Sequence, residues 1–296
     1  MSTGSTGSAA LVVDSHTHVW PRWPHKPAVP DPATRASVEH LVFEMDANGI
    51  DQAVLAAARL EGCADNNDYV AGALTKYPGR FHHFADADCR WAPEYHSPGA
   101  AARLRALAEQ YVIAGVSHYV GPENDGWLVS PEGMEFFSEA SRLGLIVALA
   151  ANPAWHADVW AVARAFPDLT VVLHHLGLVL LWKDGVDDGL RRVLPAGDLP
   201  NLKVKVTGFF YGTDQPWEYP LPKAVEVVHR FYDSWGPARL LWGSESPNFR
   251  GHLSYRQSLE IVRTHCSFIP AAEMDMVLGG NLDALLRAAR ARREFA

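Results

Sequence analysis

The sequence predicts an α/β fold, a (β/α)8 barrel of the TIM type with parallel strands in a single domain. Eight short apolar runs alternate with helical segments along 296 residues. The runs are nearly continuous in apolar residues, which is typical of parallel strands that helices cover on both faces. About 150 residues per domain would give two domains, but a barrel of this kind uses about 250 residues as one domain. With no internal repeat and no linker in the sequence, we expect a single domain.

The elements follow in a regular order along the chain. β-Branched runs predict strands at 11–15, 52–58, 80–87, 115–120, 145–151, 170–176, 202–207 and 239–244. Apolar residues at helical spacing predict helices at 33–48, 67–77, 99–113, 131–143, 156–166, 189–194, 221–235, 255–264 and 270–278. Gly49 is a helix stop, and Pro131 suits a first helical turn. A charged tail follows the last predicted helix.

The predicted domain plan is a disordered leader at 1–10, the barrel at 11–290 and a tail at 291–296. The first ten residues are small and polar and have no basic region, so they do not resemble a signal peptide. The alternative fold is a doubly wound open sheet. That fold usually has a glycine-rich phosphate loop after its first strand, whereas this strand runs into Asp14-Ser15-His16-Thr17-His18.

Composition narrows the function classes. Hydrophobic residues make up 48% and charged residues 20%, a globular balance that excludes disorder and a coiled coil. The net charge of −8 without a long basic run argues against nucleic acid, and the apolar runs are too short for a membrane span. Three widely spaced cysteines fit neither a disulfide framework nor a zinc knuckle. We therefore expect a cytoplasmic protein that acts on a small molecule, with a homodimer as the commonest oligomer.

The clearest chemical signal is the pair His16 and His18 after the first strand. Residues two apart on a strand point to the same side, so both imidazoles can converge on one group. Imidazole is a common metal ligand. The pair is therefore a candidate metal site, and the alternative is two ordinary loop histidines.

Two further strand ends carry reactive side chains. His174 and His175 end the sixth strand, and alternation allows only one of them to face the barrel mouth. We favour His175 as the catalytic residue and expect the other to pack behind the strand against a helix. Glu245 ends the eighth strand and is a candidate catalytic base and third metal ligand; the alternative is an acid at a helix N-terminus.

A weaker set of residues lies at other strand ends and in the loops that follow. These candidate substrate-binding residues are His118, Tyr119, Asn152, Trp20 and Arg250. For Trp20, and likewise for Trp23, Trp182 and Trp217, packing is the favoured interpretation of the single residue, and a pocket wall is the alternative. The sequence has neither a Gly-x-Ser-x-Gly elbow nor a phosphate-binding P-loop, which argues against acyl-enzyme chemistry and nucleotide hydrolysis.

Together these residues resemble the amidohydrolase superfamily, in particular the amidohydrolase-2 group with 2-pyrone-4,6-dicarboxylate lactonases, sugar-lactone hydrolases and related decarboxylases. The matching segments, spread between Val13 and Leu286, are VVDSHTHVW, MDANGID, YPGRF, FPDLTVVLHHLG, LKVKVTG, RLLWGSESP and VLGGNLDALL. The resemblance implies a barrel with its active site at the carboxyl ends of the strands.

The chain departs from that group at three places. The group usually has Gly-Ser-Asp where this sequence has Gly243-Ser244-Glu245, and the lactonases commonly have Gly-Val-Arg where this sequence has Gly115-Val116-Ser117. Metal-dependent relatives add a histidine from strand 5, which here reads LIVALAA. The resemblance therefore leaves two alternatives open: a single divalent ion, with zinc as first choice, on His16, His18 and Glu245, or catalysis without metal.

Three functions follow as expectations. The first is hydrolysis of a lactone or a related C–O or C–N bond, with water activated by Glu245 and the carbonyl polarised by His16, His18 and His175. The second is a lyase on the same barrel, either a decarboxylase or a hydratase/dehydratase. The third is a ligand-binding barrel that has lost hydrolysis.

Overall fold

The structure is a computed structural model that describes residues 10–213, 215 and 217–294. Its single sheet has eight parallel strands in the order β1 to β8. A parallel bridge between Thr17 and Ser246 brings the end of β8 beside β1. The predicted (β/α)8 barrel is confirmed. Residues 1–9 of the predicted leader lie outside the described residues.

The strands are short and buried. They are β1 (Val13–Thr17), β2 (Gln52–Ala56), β3 (Phe81–Asp86), β4 (Gly115–Tyr119), β5 (Ile146–Ala150), β6 (Val171–Leu173), β7 (Leu202–Val206) and β8 (Leu240–Trp242). The helices are α1 (Val38–Asn48), α2 (Asn66–Lys76), α3 (Ala100–Gln110), α4 (Pro131–Arg142), α5 (His156–Ala165), α6 (Val186–Val193), α7 (Pro222–Trp235), α8 (Tyr255–Arg263), α9 (Ala271–Asp275) and α10 (Asn281–Glu294). Short 3-10 segments span Trp127–Val129, His175–Leu181, Leu194–Asp198 and Pro237–Arg239.

Local chemistry explains several helix ends. Ser37, Ser130 and Ser254 each accept a backbone N–H at the start of a helix, and Ser254 forms a full capping box with Gln257. Gly49 ends α1 with a φ of 69°, a left-handed conformation that glycine adopts without steric cost.

The sheet divides the core into an inner and an outer layer. The outer layer packs the sheet against α1 to α8. The inner layer combines strand residues such as Phe84 and Ile146 with Leu282, Leu286 and Ala289 from α10. The sequence predicts a charged tail after the helix at 270–278, with the tail proper at 291–296, but residues 281–294 form the helix α10, which supplies part of the barrel interior.

An irregularity in β1 sets the orientation of the first histidine pair. Val13 belongs to the inner layer, so strict alternation would place His16 on the opposite face. The register with β2 shifts between Asp14 and Thr17. This shift reverses the alternation and turns His16 into the barrel.

Within the described ranges, none of the helices combines the length and apolar character needed to cross a bilayer. Cys63, Cys89 and Cys266 are buried free thiols.

Candidate active site

Four side chains from three strand ends meet inside the mouth of the barrel. The Nε2 atoms of His16 and His18 lie 3.1 Å apart. Glu245 Oε2 lies 3.1 Å from His16 Nε2 and 3.3 Å from His175 Nδ1, and Glu245 Oε1 lies 4.0 Å from His18 Nε2. Each of the four side chains is at most 5% exposed. The structure thus brings together the three predicted metal ligands and the favoured histidine of β6.

The Glu245 carboxylate accepts hydrogen bonds through one of its two oxygens. Its Oε1 accepts hydrogen bonds from Tyr211 OH at 3.2 Å and Asn248 Nδ2 at 3.0 Å, whereas Oε2 has no hydrogen-bond partner in the described part of the chain. Burial opposes ionisation, but His175, His18 and the Asn248 amide hold the pKa of Glu245 below its usual range. The residue sits just after β8 with a φ of 67°, a strained conformation of the kind found at functional sites.

The tautomers of the histidine pair follow from their partners. The carbonyl oxygen of Ala56 can only accept, so His18 donates to it through Nδ1 at 2.7 Å and keeps a lone pair on Nε2. His16 Nδ1 lies 2.8 Å from Lys205 Nζ on β7. An ammonium at Lys205 donates to this nitrogen and leaves the His16 proton on Nε2, from which His16 donates to His18 Nε2 at 3.1 Å. A neutral Lys205 can accept instead, and then His16 Nε2 is free to bind a ligand.

Lys205 is therefore the group that selects the His16 tautomer. It is 1% exposed, and burial lowers its pKa to about 7 against the attraction of Glu245 and Asp14. Burial also lowers the pKa of His18 to about 4 and that of His16 well below its usual range. Both histidines are therefore neutral near neutral pH.

Both histidines of the β6 end lie inside the barrel. The His174 ring packs against His16 at 4.5 Å and Tyr119 at 5.0 Å between centroids. The expectation that the second histidine packs behind the strand is wrong. Regular alternation ends at Leu173, and His175 has a φ of 47°, so the left-handed turn brings His175 back to the same side.

A cavity of about 740 Å³ opens above the cluster. Its walls include Tyr119, Asn152, His175, Trp182 and Tyr211, with Arg90 and Lys183 among the basic residues of its lining. Burial raises the pKa of Tyr119 and of Tyr211 well above the usual value, so both hydroxyls remain neutral hydrogen-bond donors.

The predicted substrate residues divide into three groups. Tyr119 and Asn152 line the cavity, although the Asn152 amide already donates to Pro122 O and accepts from Ala154 N. Trp20 is buried and stacks on His18 at 5.0 Å, so it supports a site residue.

The other two predicted substrate residues lie elsewhere. His118 is fully buried between the sheet and α4, next to Phe136, because alternation along β4 turns it outward while Tyr119 turns inward. Arg250 pairs with Glu44 of α1 at 3.2 Å. Neither residue lines the cavity, and their contact with substrate stays a prediction.

Sequence reasoning missed three members of the cluster. The sequence could have indicated Lys205, because burying a charged lysine within an apolar strand costs free energy unless a partner compensates the charge. Tyr211 and Asn248 lie in loops, where no periodicity indicates which side chains turn toward the barrel.

The donor set fits a divalent ion. One nitrogen or oxygen from each of His16, His18 and Glu245 lies within 4.8 Å of the others, and the same holds for His16, His174 and His175. Glu245 Oε2, His175 Nδ1 and both nitrogens of His174 are buried without a hydrogen-bond partner among the described residues. Neutral imidazoles and a carboxylate are the ligands that zinc binds in catalytic sites.

Comparisons with known proteins identify the family and the fold of the chain. Residues 13–287 match the family model described as Amidohydrolase. No curated protein matches the sequence.

Three solved structures illustrate the shared fold. A probable 2-pyrone-4,6-dicarboxylic acid hydrolase from Acinetobacter baumannii with bound citric acid is 21% identical, with 93% of this chain and 99% of that chain covered and a TM-score of 0.74. An amidohydrolase from Burkholderia multivorans with bound zinc is 20% identical, with 94% and 99% covered and a TM-score of 0.74. A 2,6-dihydroxybenzoate decarboxylase from Rhizobium is 16% identical, with 94% and 98% covered and a TM-score of 0.65.

These structural likenesses show the shared barrel fold. The family match extends over nearly all of the chain, including every strand and the four side chains of the cluster. The protein is therefore a member of the amidohydrolase family.

Proposed function

We propose that the protein hydrolyses a small cyclic ester and that Glu245 is the base that activates water. One observation carries the proposal. Glu245 Oε2 is buried, belongs to a carboxylate with a lowered pKa, and faces His16 and His175 without a hydrogen bond within the described ranges. An ionised oxygen in that position is able to take a proton from water.

The hydrolytic step uses groups of this chain. Glu245 takes one proton from a water molecule as the water oxygen bonds to the ester carbonyl carbon. The tetrahedral intermediate then collapses, the ring C–O bond breaks, and the leaving oxygen receives the proton that Glu245 holds. The products are a carboxylic acid and an alcohol on one opened chain.

His175 supports the developing negative charge in this proposal. It lines the cavity, and its Nδ1 lies 3.3 Å from Glu245. A histidine N–H or a tyrosine O–H directed at the carbonyl oxygen stabilises an oxyanion, and loss of one such donor typically costs about 10²–10³ in turnover. Tyr119, which has a neutral hydroxyl in the cavity wall, is a second such donor.

In this proposal, the protonation state of Lys205 determines whether His16 can bind a metal ion. His16, His18 and Glu245 would hold a single divalent ion, for which zinc is the first choice, and such an ion would polarise the carbonyl and acidify water. That arrangement needs neutral Lys205. With charged Lys205, His16 donates from Nε2 to His18 Nε2, and the lysine and the two histidines form a hydrogen-bonded chain beside Glu245 that works without metal.

The testing experiment is a lactone panel followed by pH-stat titration, with Glu245→Gln as the variant. Gln keeps the size but removes the base, so we expect turnover to fall by at least about 10²-fold. Glu226→Gln on the exposed face of α7 is the matched control. Wild-type turnover in the Glu245→Gln variant would exclude Glu245 as the base.

Two other outcomes would replace the proposal. Release of CO₂ from carboxylated substrates without acid release from lactones would identify a decarboxylase. Saturable ligand binding without turnover would identify a binding barrel.

We also propose that the protein works in the cytoplasm. Its three cysteines are buried free thiols, which supports a reducing compartment.

A further inference from the structure

We propose that His96 and His118 form a second divalent-metal site, separate from the candidate active site, which takes an ion that prefers imidazole nitrogen, such as zinc. His96 lies in the connection between β3 and α3, and His118 lies on the outward side of β4. The two Nε2 atoms face each other at 3.3 Å. The proposal does not depend on the proposed hydrolysis.

Hydrogen-bond partners fix the tautomer of both rings. His96 Nδ1 lies 2.7 Å from Asp125 Oδ2, and His118 Nδ1 lies 2.8 Å from the carbonyl oxygen of Ala87. A carboxylate and a carbonyl only accept, so both Nδ1 atoms carry the proton. In two neutral rings, both Nε2 atoms therefore present lone pairs to each other.

Two neutral rings cannot satisfy all three contacts in this row. The contacts are Asp125 to His96, His96 to His118, and His118 to Ala87, and each needs one proton. Two neutral imidazoles bring only two protons, so the contact between the two Nε2 atoms has none. A cation between the Nε2 atoms relieves the conflict. Zn–N bonds of about 2.0–2.1 Å at a tetrahedral angle place two nitrogens about 3.3–3.4 Å apart, which matches the observed separation.

The histidine pair of the candidate active site differs from this pair in its supply of protons. His16 and His18 also face each other through Nε2, at 3.1 Å, and His18 also donates to a carbonyl, that of Ala56. There, however, Lys205 stands at the other end of the row and can supply the missing proton. The row through His96 and His118 ends in acceptors on both sides, so no neighbour supplies a proton.

The surroundings resemble the outer shell of a metal site. Metal-bound histidines generally donate their second N–H to a carboxylate or a backbone carbonyl, and Asp125 and Ala87 provide one of each. His96 is held rigidly, because it lies flat on Trp127 at 4.3 Å and 5° and stacks on Tyr95 at 3.7 Å. Its backbone has a φ of 51°, a conformation that costs free energy and is concentrated at functional positions.

The site has two protein ligands. Among the described residues, no group of three His, Cys, Asp or Glu ligands includes this pair. Water completes the coordination, and binding is consequently weaker than at a site with three protein ligands.

The experiment counts zinc by equilibrium dialysis and elemental analysis of the full chain. His96→Gln/His118→Gln is compared with the wild type and with His16→Asn/His18→Asn. We expect the first variant to bind one zinc fewer than the wild type, whether or not the candidate active site binds metal. We also expect His16→Asn/His18→Asn to retain the zinc that the first variant loses. Equal zinc in the wild type and the His96→Gln/His118→Gln variant would overturn the proposal.

A milder variant guards against loss of fold. Asp125→Asn leaves both ligands in place and weakens only the outer shell, so we expect a 10–100-fold lower zinc affinity. NMR of ¹⁵N-labelled histidine supplies an independent readout, because zinc should shift the Nε2 signals of His96 and His118. A doubly protonated ring at neutral pH and no response to zinc would mean that the pair shares a proton, and this result would also overturn the proposal.

Discussion

Glu245 and His16 are joined twice, once through the backbone and once through their side chains. The amide of Glu245 donates to the carbonyl oxygen of His16 at 3.0 Å, and Glu245 Oε2 lies 3.1 Å from His16 Nε2. Asp14 Oδ1 reinforces the junction, because it accepts from the amides of both His16 and Ser244. The seam that closes the barrel between β8 and β1 is thus the same structure that fixes the candidate base against its histidine.

The length of the Glu245 side chain should matter for turnover. Asp at this position withdraws the carboxylate by about one C–C bond from His16 and His175, and a displacement of about 1 Å in a catalytic site can cost about 10²-fold. We expect Glu245→Asp to lower kcat by that order, measured at saturating lactone. Higher activity of the Asp variant would show instead that Glu245 marks divergence away from hydrolysis.

Gly243 should tolerate no side chain, because β8 and β1 approach closely there. A Cβ would lie 2.7 Å from Ser15 Oγ and 3.0 Å from the amide nitrogen of His16. We expect Gly243→Ala to lower the free energy of unfolding by about 1–3 kcal/mol and to reduce kcat, measured by urea denaturation and turnover.

The matched control for Gly243 is Gly72→Ala in α2, where a Cβ meets nothing within 4 Å. This substitution should stabilise the protein by about 0.5–1 kcal/mol. Equal effects of the two substitutions would contradict the close approach at Gly243.

Lys205 should make stability depend on pH. Its pKa of about 7 in the folded protein is below the ordinary value of 10.5, so the unfolded chain binds a proton that the folded chain lacks between these values. The free energy of unfolding should therefore rise with pH in this interval, by at most about 1.4 kcal/mol per pH unit.

Lys205→Met removes this titration. Urea denaturation at pH 7, 8 and 9 should give a wild type that gains stability relative to Lys205→Met as the pH rises. Parallel pH profiles of the two proteins would show that Lys205 keeps its ordinary pKa.

His174 should be replaceable by Phe with little loss of stability. Neither of its ring nitrogens has a hydrogen-bond partner in the described part of the chain, and the ring packs against His16 and Tyr119. Replacing an unpaired buried polar group by an apolar one of similar shape is nearly neutral, so we expect a change within about 1 kcal/mol. If His174→Phe folds normally but loses its metal and turnover, His174 is a ligand.

The strands were predictable because burial on both faces makes each one a continuous apolar run. The helix α10 was not, since its inward residues Leu282, Leu286 and Ala289 are spaced among arginines that indicate a solvated tail. Alternation predicted that His16 and His18 point to the same side, but their inward direction depends on the register shift in β1, which the sequence does not indicate. The same rule failed at His174, because a left-handed turn after Leu173 replaces the strand geometry that the rule assumes.

The face on which a residue lies proved harder to predict than the element that carries it. His118 and Tyr119 are neighbours at one strand end, and only the register of β4 decides that the tyrosine faces the cavity. Lys205 on β7 and Glu245 after β8 meet around His16 on β1, at the opposite end of the sequence. Such contacts depend on the closure of the barrel, which local patterns do not encode.

The position of α10 has a consequence for synthesis of the protein on the ribosome. Leu282, Leu286 and Ala289 complete an interior layer that Val13 begins, so the first strand lacks part of its packing until the segment 281–294 has left the exit tunnel. All eight strands are synthesised before that moment, and the inner layer of the barrel then lacks the side chains that α10 contributes. A nascent chain arrested before residue 281 should therefore present apolar surface to chaperones, whereas one arrested beyond residue 294, with the tunnel length allowed for, should not.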